Sequence, residues 1–325
     1  MNLSLSLTLL LAAGLLVHVA LKLWLLARQV RHVAAHRDAV PEAYAQSVPL
    51  EAHHKAADYN LAKAQIAQWE ILLDALVLLG WTLLGGLDAL NQWLQVWLSP
   101  GLVQQLALVL GYVLVGGLLG LPLSLWQTFG VEQRFGFNKT TPRLWLTDLL
   151  KGLLLGAVLG VPLLALVLWL MDAGGALWWL WAWGALVLWQ LLLLAIAPNV
   201  LMPLFNKFTP LQDEALHARV QALMARAGFR AKGFFVMDGS RRSAHSNAFF
   251  TGFGASKRVV FFDTLLQQLS PAEMEAVLAH ELGHFKHKHI VKMMAVSFAT
   301  TLAGLALLGW LAQQAWFYTG LGVAP

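Results

Sequence analysis

The sequence contains no cysteine. That excludes a disulfide framework, a thiolate metal site and a cysteine nucleophile. Charge is scarce as well. Asp, Glu, Lys and Arg make up 12% of the 325 residues, against about 25% in a soluble globular domain. With 58% hydrophobic residues and a mean hydropathy of +0.64, the chain reads as an integral membrane protein whose first partner is the lipid bilayer. The formal charge of +5 is not gathered into a basic run, so nothing in the pattern points to nucleic acid. No short-period repeat and no low-complexity tail is present. The first apolar stretch lacks a positive n-region before it, which argues against a cleaved signal peptide.

What is present is a series of long apolar runs. Each is long enough to cross a bilayer at 1.5 Å rise per residue. They cover Leu3 to Ala27, Ile71 to Leu87, Leu102 to Trp126, Leu153 to Met171, Leu177 to Ala197 and Val291 to Leu311. The expectation is a mainly α, polytopic membrane protein with about six transmembrane helices. Residues 28–70 read as a polar loop or amphipathic helix. His53 and His54 are adjacent and so cannot share a helix face as metal ligands. His18 reads as a packed or interfacial residue, and Asp74 and Asp88 as interfacial acids near helix ends. Trp93, Trp97, Trp178, Trp179, Trp181 and Trp183 cluster at span boundaries and read as an aromatic belt.

Lys and Arg set the orientation. Arg28, Arg31, Arg37, Lys55 and Lys63 fall in one loop, and Arg134, Lys139, Arg143 and Lys151 in another. The intervening loops, 88–101 and 172–176, carry no Lys or Arg. By the positive-inside rule the charged loops are cytoplasmic, and both chain ends lie outside. The expected divisions are residues 1–197 as a five-helix membrane region, 198–290 as a cytoplasmic domain, and 291–325 as the sixth span with a short tail.

The cytoplasmic region carries the chemistry. Leu211 to Ala227 reads as an amphipathic helix ended by Gly228. Gly233 to Asp238, His245 to Phe253 and Arg258 to Phe262 read as strands, with a turn at Asp238-Gly239-Ser240 and a junction through Gly254 to Lys257. A small α+β, zincin-like protease domain is the expected frame. Its exposed Asn247-Ala248 segment is the candidate edge to which an extended peptide adds by main-chain hydrogen bonds.

The helix that follows opens with Ser270 as N-cap, Pro271 at the first helical position and Glu273 closing a capping box. It contains His280-Glu281-Leu-Gly-His284. Residues four apart lie on one helix face, so His280 and His284 can reach one zinc ion. Glu281 projects beside that ion, where a general base for an activated water belongs. Gly283 removes a side chain next to His284, an opening for another backbone.

Several stretches carry a family resemblance. They are Gln133-Arg-Phe-Gly-Phe-Asn-Lys139, Pro203-Leu-Phe-Asn-Lys-Phe-Thr-Pro-Leu211, Asp238-Gly-Ser-Arg-Arg-Ser243, His245-Ser-Asn-Ala-Phe-Phe-Thr-Gly-Phe253, Lys257-Arg-Val-Val-Phe-Phe-Asp-Thr-Leu-Leu266 and Ala276 through His289. Jointly they resemble the membrane-embedded zinc metalloproteases of the type 1 CAAX prenyl protease family. The resemblance implies membrane helices around a large chamber, capped by a zinc protease domain. It also implies cleavage near the C-terminus of a peptide or protein substrate. It assigns His280 and His284 as ligands, Glu281 as catalytic base, Asn247 and Ala248 as the substrate-backbone strand, and His289 as a supporting residue. The expected setting is a bacterial inner membrane with the protease domain in the cytoplasm.

One departure stands out. The family takes a third ligand, a Glu, from a downstream helix, and has seven spans. Here the 41 residues after His284 contain no Glu or Asp. The expectation is therefore a chain that stops before its zinc site is complete. His287 lies on the ligand face. On a continuous helix it would sit about 10 Å from His280 along the axis, too far for both to bind one ion at about 2.1 Å. Asp263 stays open as an upstream donor. An inert membrane scaffold keeping the protease fold is the alternative reading.

Overall fold

The computed structural model describes residues 2–229, 232–251 and 258–324. In chain order its elements are α1 (Leu3–Ala35), α2 (Leu50–Trp81), α3 (Gly86–Trp97), α4 (Leu102–Leu125), α5 (Pro142–Ala173), α6 (Trp178–Ile196), α7 (Met202–Phe205), β1 (Phe208–Pro210), α8 (Glu214–Arg226), β2 (Gly233–Met237), β3 (Ala248–Thr251), β4 (Arg258–Phe262), α9 (Asp263–Gln268), α10 (Pro271–Lys286), α11 (His289–Leu311) and α12 (Ala315–Gly320). Wide π-type turns continue α4 at Trp126–Glu132 and α6 at Ala197–Leu201. The chain divides into two compact units, one of Met1–Gly136 with Trp310–Pro325 and one of Phe137–Gly309.

Among the described residues five helical segments are long and apolar enough to cross a membrane: Leu3–Ala35, Leu102–Glu132, Pro142–Ala173, Gly175–Phe205 and His289–Leu311. A sixth arises if α2 and α3, bent by 53° where they meet, form one broken span. The second expected span, Ile71 to Leu87, is thus not one straight helix. α2 starts at Leu50, well inside the stretch read as a possible loop, and stops at Trp81. Gly85 then takes a left-handed φ of 78°, which a residue without Cβ adopts freely.

In the first unit α1 packs along α2 and, near its start, against α12, where the Thr8 hydroxyl donates to the Gly320 carbonyl at 2.8 Å. Gln104 of α4 is buried and donates to Asn91 of α3. In the second unit α5 runs beside α6. The Trp183 indole of α6 donates to the Phe298 carbonyl of α11 at 2.9 Å. Trp179 fills the space that a side chain at Gly309 would need, and Trp178 is buried. These three tryptophans are packing residues, whereas Trp93 and Trp97 stay exposed as a belt requires.

The second unit also holds a four-stranded sheet in the order β1-β2-β4-β3. β2 and β4 are parallel, with Phe235 opposite Val260; β1 and β3 run antiparallel to their neighbours. β1 has three residues and was not legible as a strand. The expected strand from His245 is ordered as β3 only from Ala248. Its end at Phe253, and the junction Gly254 to Lys257, lie outside the described residues. The turn at Asp238-Gly239-Ser240 is tight because Gly239 presses against Phe262. A Cβ there would lie 2.5 Å from the ring.

One core joins these parts. Leu216, Val220 and Met224 of α8, Phe234 of β2, Ala248 of β3, Val259 and Phe261 of β4, Leu265 of α9, and Met274, Leu278 and Leu282 of α10 form one buried cluster. Leu278→Ala should therefore destabilise the protein by about 2–5 kcal/mol. Leu188→Ala, at a side chain 69% exposed, should change it by under about 0.5 kcal/mol. Unfolding in detergent followed by intrinsic fluorescence distinguishes the two.

Candidate active site

α10 begins as its sequence dictates. The Ser270 amide donates to Glu273 Oε2 at 2.8 Å, and the Glu273 amide donates back to Ser270 Oγ at 3.4 Å. The helix then buries Met274, Leu278 and Leu282, spaced by four residues. His280 and His284 sit two residues beyond Leu278 and Leu282, about 200° around the helix. They are turned away from the core and exposed.

The two imidazoles converge. Their Nε2 atoms are 3.2 Å apart and their ring centroids 5.0 Å apart. That separation lies within the reach of one ion with Zn–N bonds of about 2.0–2.1 Å. The donor chemistry fits two of the protein ligands of a zinc site. Glu281 lies between them in sequence and is half-buried. No atom comes within 4 Å of a Cβ built on Gly283, apart from the helix's own backbone and neighbours, so the expected backbone approach is not seen among the described residues.

After Lys286 the helix breaks. His287 caps it, and Lys288 adopts a φ of 54°, the one positive φ of a non-glycine among the described residues. α11 starts at the next residue. The reversal brings His289 back onto the motif: its Nδ1 lies 2.9 Å from His284 Nδ1. The tautomers of the two rings set which of these nitrogens donates. A ligand imidazole held through its second nitrogen has a fixed tautomer and ring orientation. His287 stacks on His289, with centroids 5.7 Å apart.

β3 supplies an edge. In the sheet order it has a neighbour on one side only, β4. Phe262 N–H donates to the Asn247 carbonyl at 3.0 Å. Antiparallel alternation then points the Ala248 N–H and C=O away from β4, toward the unpaired side of β3, although the residue is only 2% exposed. The Ala248 N–H is satisfied there by Asn247 Oδ1 at 2.8 Å. The side chains of Phe229, Phe250 of β3 and Phe285 of α10 form an edge-to-face trio with centroids 5.1 to 5.3 Å apart, fixing the edge against the ligand helix.

The loop before β3 is held by residues that sequence reading missed. Arg242 makes a bidentate pair with Asp148 of α5, Nε to Oδ2 at 2.7 Å and Nη2 to Oδ1 at 3.0 Å, and donates to Asn206 Oδ1 at 2.9 Å. Its carbonyl accepts from Lys139 N–H at 3.0 Å. His245 stacks on Phe137 at 4.3 Å. Arg242 and Asp148 are 94 positions apart, and no local pattern signals such a pair.

Asp263 is committed to the fold. Its Oδ1 accepts from the amides of Ser240 and Thr264, at 2.8 and 2.9 Å, and its Oδ2 from the Ser240 hydroxyl. Among the described residues no three His, Cys, Asp or Glu side chains are gathered to hold a metal ion.

Membrane-spanning helices joined to a small mixed sheet, with an HExxH helix packed on that sheet, define a membrane protein of zincin-like architecture. Residues 29–207 match the model "CAAX prenyl protease N-terminal, five membrane helices", and residues 210–321 match "Peptidase family M48". CAAX prenyl protease 1 of Saccharomyces cerevisiae is 43% identical over 208 residues, covering 63% of this chain and 46% of the relative. The mouse homolog of CAAX prenyl protease 1 is 30% identical over 331 residues, covering 88% of this chain and 70% of the relative. The crystal structure of S. mikatae Ste24p superposes with a TM-score of 0.88 at 33% identity, covering 96% of this chain and 73% of that one. The chain thus belongs to the Ste24-like CAAX prenyl proteases of peptidase family M48. It spans about half the length of the first curated relatives it matches.

The capping box makes the ligand helix sensitive to acid. Hydrogen bonds from the Ser270 hydroxyl, then from its amide, hold the Glu273 carboxyl below its ordinary 4.5. A depressed carboxyl contributes stability that is fully present above the unfolded value and is lost as pH falls through the folded one. Thermal melts from pH 6 down to 3 should therefore fall more steeply in the wild type than in Glu273→Ala, which is less stable at pH 6. Parallel slopes would rule out this contribution.

Proposed function

We propose that this protein is a membrane-embedded zinc metalloendopeptidase that hydrolyses peptide bonds near the C-terminus of its substrates. The observation that carries the reading is the convergence of His280 and His284 Nε2 atoms at 3.2 Å, on the exposed side of a helix that also bears Glu281. His280 and His284 would hold one zinc ion. When bound, it supplies a Lewis acid for the scissile carbonyl and lowers the pKa of a water toward about 7. Glu281 takes the proton from the attacking water and later passes a proton to the leaving amine. His289 keeps His284 in one tautomer. The substrate backbone adds to the unpaired side of β3, where the Asn247 carboxamide turns from the Ala248 N–H to hold the substrate backbone. Processing of a CAAX-type C-terminus, as in the relatives' names, is the substrate class we infer.

We take residues 198–290 as the catalytic domain and place it in the cytoplasm of a bacterium, beneath the inner membrane. The Lys and Arg asymmetry supports that side, with α2 and α3 counted as one broken span. The native chain lacks cysteine, so Gln267→Cys gives a single reporter. It should react with an impermeant maleimide only from the cytoplasmic side, and labelling from outside would reverse the orientation.

One observation favours a second reading, an inert membrane scaffold: no three-donor set is gathered among the described residues. Metal content separates the readings. Glu281→Gln should retain zinc while cleavage of a fluorogenic peptide falls by about 10² or more. His280→Ala should lose metal and cleavage together. Asn247→Ala should raise KM with zinc unchanged. Chelator-resistant cleavage by Glu281→Gln would refute the metalloprotease, whereas zinc bound without cleavage of any peptide in a broad library would favour the scaffold.

A further inference from the structure

Helix α1 carries a face that the protease site does not use. Leu23, Leu26 and Val30 turn toward α2 and share a groove with Leu61 and Gln65. On another side, Leu10, Val17, Leu21 and Trp24 recur at helical spacing and are 70%, 66%, 51% and 52% exposed. Continuing along that side, the face turns cationic. Arg28 and Arg31 follow one and two turns beyond Trp24, with His32 and His36 beside them around an open hollow of about 610 Å³. The Arg28 guanidinium lies 4.9 Å above the Trp24 ring.

The depth of this change is informative. Leu3 to Ala27 rises about 37 Å at 1.5 Å per residue, against a hydrocarbon core of about 30 Å. Arg28 and Arg31 therefore fall at headgroup level. Trp24 sits where an interfacial aromatic belongs.

Charge pairing sorts the local arginines. Arg37 takes Asp38 at 3.1 Å and Asp58 at 2.7 Å, and His54 also bonds Asp38, at 3.0 Å. Neither Arg28 nor Arg31 is in an ion pair among the described residues. Two guanidiniums without a carboxylate, at the end of an exposed apolar run, match an amphiphile with an anionic head.

We propose that this face of α1 binds an anionic glycerophospholipid, its phosphate between Arg28 and Arg31 and an acyl chain along Leu21, Val17 and Leu10. Two cationic side chains at headgroup depth attract the lipid phosphate by charge. A phosphatidylcholine brings an ammonium that the arginines repel, so phosphatidylglycerol is preferred. An acidic peptide satisfies the arginines but leaves the apolar run uncovered.

The test uses the whole protein, delipidated in detergent and exposed to equimolar phosphatidylglycerol and phosphatidylcholine, with retained lipid counted by mass spectrometry. The wild type should retain phosphatidylglycerol over phosphatidylcholine by on the order of tenfold. Arg28→Gln with Arg31→Gln should abolish that preference, and Arg219→Gln should not. Arg28→Lys with Arg31→Lys should keep most of it, which separates loss of charge from damage to the fold. Equal retention by the Gln pair, or loss of preference in the Lys pair, overturns the site. Displacement of the lipid by millimolar inorganic phosphate would assign the arginines to a free anion. Displacement by an acidic peptide would assign the face to a protein. Either result also overturns the proposal.

Discussion

The burial of Met274, Leu278 and Leu282 fixes the rotation of α10, and the arrangement of the site depends on that rotation. A helix has no preferred azimuth of its own; it takes the one that hides its apolar stripe. With the stripe seated on the sheet and α8, His280 and His284 have one direction left to point. Turning the helix by one residue position would rotate every side chain by 100° and carry both imidazoles off their common side. The side on which the two imidazoles converge is thus set by residues that never touch it.

The edge strand depends on the same core from the other direction. Ala248 is both a buried member of that core and a residue whose backbone N–H and C=O point away from β4. Upstream, Arg242 fastens the loop to α5 through Asp148, with both side chains about one-fifth exposed. In that partly desolvated setting a bidentate pair is stronger than at the surface, and removing one partner leaves a charge uncompensated. The edge is therefore held at both ends, by charge before Asn247 and by Phe250 against Phe285 after it.

Most of the ligand helix was legible because its signals are local. Ser270, Pro271, Glu273 and the four-residue spacing all act within a few turns of chain. The strands β2 and β4 were legible from their β-branched and aromatic runs. β1 was not, since three residues ending in Pro210 carry too little pattern. The start of α2 was left open between loop and amphipathic helix because residues 50–70 are too polar for a hydropathy window, although the helix begins at Leu50. The return of His289 was beyond local reading. Lys288 holds a backbone conformation that its side chain disfavours, and tertiary structure imposes it. Reasoning from a continuous helix set His287 about 10 Å from His280 along the axis, but it gave no hint of the break. The Arg242 pair left no trace at all, because charge at one position says nothing of a partner 94 residues away.

Because the helix breaks at a single residue, almost no slack separates the hydrolytic motif from the lipid. His289 is the first residue of a 23-residue membrane helix and the hydrogen-bond partner of His284. That helix is about 34 Å long, close to the thickness of the hydrocarbon it crosses. A thinner bilayer is accommodated by tilting such a helix. Its first residue then moves with it, and a bond of 2.9 Å has little room to follow. The imidazole pair in this sense stitches the end of α10 to the first turn of the membrane helix.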